Sequence, residues 1–374
     1  MRVYLLVMLV AAVVTFVATP LALRLARATN ALTPVRARDV HTTPTPRLGG
    51  LAMLAGFGVA LLLASRVPFL EGVFTTAQPW AILGGAALVC ALGVADDIWD
   101  LDWMAKLAGQ VLAAGLIAWQ GVQLITFPVF GLTIGSARLS LVATILVVVV
   151  AINAVNFVDG LDGLAAGMVG IGGLAFFGYT YLLTRTATPG DYSNLATVVI
   201  AAVVGTCVGF LPHNFHPSRI FMGDSGSMFL GLTVAAAAIT VTGQIDPAVF
   251  TAGQVVPAFV PLLLPVLLPV AVLLLPLLDM TLAVLRRLRA GQSPFKPDRM
   301  HLHHRLLSWG HTHRRAVLVM YLWTAVISFS AASLIVFDTR VVLVVTGVSV
   351  VVALLVTVGK LPGLRRARHT KESV

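Results

Sequence analysis

The chain has 374 residues, 58% hydrophobic and 11% charged, with a mean hydropathy of +0.96. A soluble domain carries roughly 25% charged residues, so this composition cannot supply a polar surface. Disorder, a collagen and a disulfide scaffold are excluded with it. Long continuous apolar runs exclude a β-barrel and leave a helical membrane protein. The net charge of +10 would suit nucleic acid on a soluble protein; in a membrane protein its distribution over the loops decides, and no nucleic-acid partner is expected.

About 20 apolar residues cross a bilayer as a helix. On that measure eleven spans are predicted, near 3–23, 48–65, 79–95, 104–124, 139–157, 163–184, 194–212, 225–244, 254–285, 316–336 and 341–359. Arg24 and Arg27 follow the first apolar stretch instead of preceding it, which predicts an uncleaved span with its N-terminus outside. Alternating from that start leaves only Arg2, Arg66, Arg138, Arg185 and Arg340 of the 25 Lys and Arg outside. This positive-inside bias puts the C-terminus in the cytoplasm. The expectation is an all-α polytopic membrane protein of about eleven transmembrane helices. Residues 1–359 form a single integral-membrane catalytic domain, and 360–374 a basic cytoplasmic tail. Segment 125–138 predicts a short outer hairpin. Cys90 and Cys207 fall inside apolar runs, as small membrane-core residues.

Pro257, Pro261, Pro265 and Pro269 recur every four residues in the ninth span, with Pro276 beyond. Each removes a backbone donor and bends a helix. Two readings stand here: a kinked packing helix, or a bent helix that opens a lipid-facing groove.

The outer side keeps only Glu71, Asp191, Asp246 and Asp338 of the 15 acids, and all nine histidines fall inside. Span centres are almost free of charge. A transporter places ionisable groups near mid-bilayer, so this asymmetry favours an interfacial enzyme over a cation-coupled transporter.

Four inner clusters carry the chemistry. Asp96 and Asp97 close the third span, and both reach Asp100 on a helix; crowded like charges call for a hard dication, Mg²⁺ or Mn²⁺. Asn156, Asp159 and Asp162 lie around two Asp-Gly pairs, a turn whose glycines let a ligand approach closely. Phe221-Met222-Gly223-Asp224-Ser225-Gly226 opens the eighth span, where Asp224 is either an N-cap or a metal ligand beside a phosphate-competent helix start. Arg299, His301, His303, His304 and Arg305 fill the longest inner loop. His301 and His304 would share a helical face; zinc is one occupant for such a set, a pyrophosphate the other, and a solvated basic loop the third reading. An acid set that binds a cation and a basic set that binds phosphate, on one membrane face, are what phosphoryl transfer needs.

As a set, these clusters resemble the polyprenyl-phosphate N-acetylhexosamine-1-phosphate transferases, over roughly Arg36 to Trp309. The family's aspartate pair matches Asp96 and Asp97. Its Asn-x-x-Asp-Gly-x-Asp-Gly element matches Asn156, Asp159 and Asp162, and its Phe-Met-Gly-Asp element matches Phe221 to Asp224. Its first inner loop resembles Arg36, Arg38, His41, Pro46, Arg47, Gly49 and Gly50. His-x-His-His at His301, His303 and His304 is similar to the GlcNAc-1-phosphate branch, and the Lys-x-Gly-Thr-Pro run of the MurNAc-pentapeptide branch is absent. The resemblance implies transfer of GlcNAc-1-phosphate from UDP-GlcNAc to undecaprenyl or decaprenyl phosphate, with UMP released. Another UDP-N-acetylhexosamine, such as UDP-MurNAc-pentapeptide, is the alternative donor. It implies Mg²⁺, with Mn²⁺ as the substitute, on Asp97 and Asp224. Asp96 and Arg47 would serve the lipid phosphate, and Pro261 and Pro265 its groove. Asn156, Asp159, Asp162, Phe221, Arg299, His301, His303 and His304 would hold the nucleotide sugar, with Asp96, Asp97, Asp159 and Asp162 as the catalytic set. The setting implied is the bacterial inner membrane with the site facing the cytoplasm; a homodimer is compatible with it.

Overall fold

The computed structural model describes residues 1–33, 44–124, 126–127, 132–133, 136–187, 193–242, 259–292 and 301–359, without the side chains of 126–127, 132–133, 186–187, 259–266 and 303–304. In chain order, α1 (Arg2–Ala28) leads to a strand pair, β1 (Leu32–Thr33) and β2 (Thr45–Pro46), then α2 (Gly49–Ala64) and the short α3 (Glu71–Phe74). Next come α4 (Gln78–Trp99), α5 (Trp103–Trp119), the antiparallel β3 (Thr126–Phe127) and β4 (Leu132–Thr133), α6 (Ala137–Val158) and α7 (Leu164–Ala187). The chain continues through α8 (Leu195–Asn214), α9 (Gly223–Thr242), α10 (Phe259–Arg289), α11 (Leu302–Ser308), α12 (His313–Ser333) and α13 (Thr339–Val358).

Each of the eleven apolar stretches forms a helix, and the expected hairpin is the β3–β4 pair. Among the described residues nine helices are long and apolar enough to cross a membrane. A tenth span exists if α2 is joined to the turn and α3 that follow it across a 96° bend. The remaining helix, α5, has 17 residues. α10 runs unbroken past Pro261, Pro265, Pro269 and Pro276; Pro257 and the tail at 360–374 lie outside the described residues.

Helix ends follow local chemistry. Asp102, Asn194 and Asp338 each cap the helix that follows by accepting a backbone N–H with the side chain. Asp100 ends α4 in a left-handed conformation, φ 52°.

In a bilayer an apolar helix face can meet lipid or another helix equally well, so burial sorts the spans into central and peripheral ones. α8 and α9 are the central kind: 83% and 89% of their apolar windows are buried, against 11% for α13. α8 packs between α1 and α7, and α9 between α4 and α6. Many hydroxyls inside the bundle bond back to their own helix, as Thr233 Oγ1 does to the Phe229 carbonyl at 2.8 Å, which satisfies them without water. Leu112, Trp119, Leu139, Val142 and Leu146 remain exposed on α5 and α6, an apolar belt suited to acyl chains. Cys90 and Cys207 are buried free thiols.

Candidate active site

One end of the bundle collects the sequence motifs through direct contacts. The first inner loop is stitched to the segment that enters α9. Phe221 N–H donates to the Pro46 carbonyl at 2.7 Å, Gly49 N–H to the Phe221 carbonyl and Gly50 N–H to the Met222 carbonyl, both at 3.0 Å. A Cβ on Gly50 would lie 2.2 Å from Gly226 N, so only glycine permits this approach. Gly223 sits at φ +69°, where its own Cβ would meet the Arg47 carbonyl at 2.2 Å and Asp97 Oδ2 at 2.3 Å. Arg47 Nε donates to Thr33 Oγ1 at 2.6 Å. Arg36, Arg38 and His41 lie outside the described residues.

The acids of α4 meet the start of α9 here. Asp97 Oδ1 accepts Asp224 N–H at 3.2 Å, and its Oδ2 accepts Ser225 N–H at 3.4 Å. Asp97 thus caps α9 from another helix, supplying negative charge where the helix end presents unpaired donors. Asp224 is not the N-cap; it lies in the first turn of α9 and its carboxylate stays available for other partners. Asn156 Nδ2, at the end of α6, donates to Asp224 Oδ1 at 3.1 Å and to Ser227 Oγ at 2.9 Å. Lys106 Nζ, from α5, lies 2.6 Å from Asp96 Oδ2 and 3.3 Å from Asp224 Oδ2. Asp96 also accepts Leu101 N–H at 2.8 Å. The expected partner Asp100 is exposed, because the left-handed cap turns it out of the helix; the acid that crowds Asp96 is Asp224.

Asp159 follows α6, beyond the end of the span. Removal from water, and then the negative charges of Asp224 and Asp97, push its carboxyl up to about 8. By formal count, Asp96, Asp97, Asp159 and Asp224 stand here against Lys106 and Arg47. The donor set is all hard oxygen with amide support: Asp96, Asp97, Asp159, Asp224, Asn156 and Ser227. That chemistry fits a divalent cation of the Mg²⁺ or Mn²⁺ kind.

Asp162 is held differently. It is 2% exposed and accepts Ser218 N–H at 3.2 Å, Ser218 Oγ–H at 3.0 Å and a contact from His216 Nδ1 at 2.7 Å. It fastens the Asp159–Gly163 turn to the loop between α8 and α9. Asn214 reinforces this: its Oδ1 accepts Gly163 N–H at 3.1 Å and its Nδ2 donates to the Ile220 carbonyl at 2.9 Å.

His301 does not share a helical face with His304. It precedes α11 in an extended conformation, ψ 156°, and Asp279 of α10 holds it there. Asp279 Oδ2 lies 3.1 Å from His301 Nδ1, and Asp279 Oδ1 accepts Leu302 N–H at 2.8 Å. The His301 ring meets Phe157 edge-on at 5.7 Å, and Arg287 lies 5.4 Å over the same Phe157 ring. The histidine loop thereby reaches the residue beside Asn156. His303 and His304 belong to α11, but their side chains, and all of Arg299, lie outside the described residues. Phe221 is partly buried beside the stitched loop. Lys106, Asp279 and Arg287 are the members that motif spacing did not single out.

A helical membrane bundle with a carboxylate cluster, an amide, and lysine, arginine and imidazole donors at one end defines a polytopic membrane enzyme of phosphate chemistry. Residues 79–242 match the model of glycosyl transferase family 4. Over 370 residues the chain is 47% identical to the decaprenyl-phosphate N-acetylglucosaminephosphotransferase of Mycolicibacterium smegmatis, covering 96% of this chain and 89% of that protein. It is 30% identical over 328 residues to the probable undecaprenyl-phosphate N-acetylglucosaminyl 1-phosphate transferase of Bacillus subtilis, with 86% and 82% covered. It is also 30% identical over 316 residues to the phospho-N-acetylmuramoyl-pentapeptide-transferase of M. smegmatis, with 75% and 81% covered. The chain belongs to glycosyl transferase family 4, the membrane glycosyl-1-phosphate transferases.

Proposed function

We propose that the protein transfers GlcNAc-1-phosphate from UDP-GlcNAc to a polyprenyl phosphate, giving polyprenyl-pyrophosphoryl-GlcNAc and UMP. The observation that carries this is the meeting of Asp97 and Asp224, from helices 127 residues apart, within one hydrogen bond. Asn156 and Lys106 flank that meeting. Higher identity to the N-acetylglucosamine enzyme (47%) than to the pentapeptide enzyme (30%) supports GlcNAc as the sugar and decaprenyl phosphate as the lipid.

An oxygen of the lipid phosphate attacks the β-phosphorus of the donor. The bond from that phosphorus to the bridging oxygen breaks, and UMP leaves with the oxygen. The obstacle is repulsion between anions. Asp97 and Asp224 would hold Mg²⁺, or Mn²⁺, which neutralises charge on the pyrophosphate when bound. Lys106, joined to both Asp96 and Asp224, brings a positive charge toward the reacting phosphates. Asp96 and Arg47 position the lipid phosphate. A phosphate monoester has its second pKa near 6, so at about pH 7 positioning outweighs base strength. Asn156, Asp159 and Phe221 hold the uridine, Phe221 by stacking, while Asp162 locks the turn that presents them. Asp279 presents His301, which with His303, His304 and Arg299 holds the donor's phosphates. Pro261 and Pro265 of α10 line the isoprenoid groove. The site faces the cytoplasm of a bacterial cell membrane, where UDP-sugars are made.

The test is UMP release by the purified protein, supplied with decaprenyl phosphate, Mg²⁺ and in turn UDP-GlcNAc, UDP-GalNAc and UDP-MurNAc-pentapeptide. UDP-GlcNAc is expected to be used best. Preference for another donor would contradict the sugar, and no UMP from any donor would contradict the transferase reading.

A further inference from the structure

α4 and α6 are seated on α9 by close backbone approach. A Cβ on Gly93 of α4 would lie 2.2 Å from Ser225 N, and one on Gly231 of α9 would lie 2.4 Å from Ile152 Cα. α5 is held differently. Cβ atoms on its Gly109 and Gly115 would first meet side-chain carbons, of Leu92 at 2.6 Å and of Ile145 at 4.0 Å, and side chains can turn aside. α5 also has only 17 residues, against the roughly 20 that cross a bilayer. Its outer face, with Leu112 and Trp119, is exposed, and lipid tails are as apolar as that face, so they do not hold it in one position. Yet this is the helix that carries Lys106.

What opposes a slip is one polar pair. Gln110 is 2% exposed, and its Oε1 accepts from Asn153 Nδ2 of α6 at 2.7 Å. The same Nδ2 donates to the Val149 carbonyl at 2.8 Å, which fixes the asparagine side chain on its own helix. Residues three or four apart share a helix face. Gln110 therefore lies one turn behind Lys106 on α5, and Asn153 one turn before Asn156 on α6. Those two neighbours end on a single carboxylate. Asn156 Nδ2 lies 3.1 Å from Asp224 Oδ1, and Lys106 Nζ lies 3.3 Å from Asp224 Oδ2. The amide pair thus sits one turn inside the bundle from the point where α5 and α6 converge on Asp224.

A slip of one residue moves a helix by about 1.5 Å, enough to break the 2.6 Å contact of Lys106 with Asp96. A buried polar pair between helices matches in one register only, and fixing register is the best-attested use of such pairs. We propose that Gln110 is a positioning residue of the transfer reaction: through Asn153 it sets the register of α5 against α6, so that Lys106 and Asn156 each hold their own oxygen of Asp224. The consequence for turnover rests on the transferase reading; the register does not.

The experiment compares the full-length wild type with Gln110→Met, which keeps the length and removes the acceptor. A third protein, the exchange Gln110→Asn with Asn153→Gln, restores the pair with its carbons redistributed. The register is read without substrate, as the rate of Lys106 acylation by an amine-reactive ester, followed by mass spectrometry. Gln110→Met should speed acylation, because the amine leaves Asp96 and Asp224, and the exchange should slow it again. Equal rates in all three proteins would overturn the register. UMP release reads the role in turnover. In Gln110→Met kcat should fall by at least about tenfold, toward the 10²-fold that a misplacement of about 1 Å can cost. KM for UDP-GlcNAc and the melting temperature should stay close to wild type, since an interhelical hydrogen bond in a membrane adds little net stability, and the exchange should regain most of the lost kcat. A wild-type kcat in Gln110→Met, or an exchange as slow as Gln110→Met, would overturn the positioning role. Gln110→Leu serves in the same way if Gln110→Met fails to fold. No UMP from the wild type with any donor would contradict the transferase reading and the role in turnover with it, while the acylation rates still decide the register.

Discussion

Lys106 Nζ joins Asp96 and Asp224, 2.6 Å from one carboxylate and 3.3 Å from the other. Three helices, α4, α5 and α9, are thus tied by one ammonium at the point where the proposed reaction places the phosphates. Lys106→Met removes the charge and keeps the apolar stem. UMP release should fall by about 10²–10³-fold, the size of effect seen when a preorganised electrostatic donor is removed. Turnover within a fewfold of wild type would show that the ammonium only balances charge in the resting protein.

Gly223 connects backbone conformation to the same site. A left-handed residue with a side chain costs roughly 1–2 kcal/mol, and here the added carbon would also press on Asp97 Oδ2 and the Arg47 carbonyl. Gly223→Ala should lower thermal stability by at least that amount and reduce UMP release together with it. A melting temperature equal to wild type would mean that the loop and Asp97 can move aside without loss.

Asp159 sets a pH dependence. Its carboxyl ordinarily titrates near 3.8 and is pushed up to about 8 in the fold. The folded protein therefore prefers the protonated form. The stability this group contributes is complete below its ordinary value and drains away as pH rises through about 8. Melting temperature without dication should fall between pH 6 and pH 9, and Asp159→Asn should flatten that fall. An unchanged slope in Asp159→Asn would place the titration elsewhere.

In the proposed reading Asp279 acts on the donor through His301. Asp279→Asn keeps an acceptor for Leu302 N–H but weakens the hold on the imidazole. KM for UDP-GlcNAc should rise by about tenfold, the scale of one lost charge-assisted hydrogen bond, with a smaller change in kcat. A kcat loss with constant KM would remove His301 from donor binding.

These predictions divide along what the sequence made visible. The helices were legible because a bilayer demands about 20 apolar residues per span, and each such stretch is a helix. Asp97, Asn156 and Asp224 were legible as motif members, since acids at the ends of apolar runs are costly without a purpose. Their partners were not. Lys106 lies 118 residues from Asp224, and a lone lysine at the start of an apolar helix has no local signature. Asp279, buried in α10 and 22 residues before His301, shows its role only once the chain folds back. Asp100 misled for the opposite reason: helical spacing aligned it with Asp96, but the helix ends there, and its left-handed conformation turns the side chain to solvent. Asp162 reads in sequence as a twin of Asp159; three dimensions give it Ser218 and His216 instead.

The central claim is that α4 and α9 share one dication at Asp97 and Asp224. Mn²⁺ bound per chain, followed by electron paramagnetic resonance in the wild type, Asp97→Asn and Asp224→Asn, tests it directly. One tightly held Mn²⁺ in the wild type, released in both variants while they remain folded, is the expected result. Equal Mn²⁺ occupancy in all three proteins would contradict it.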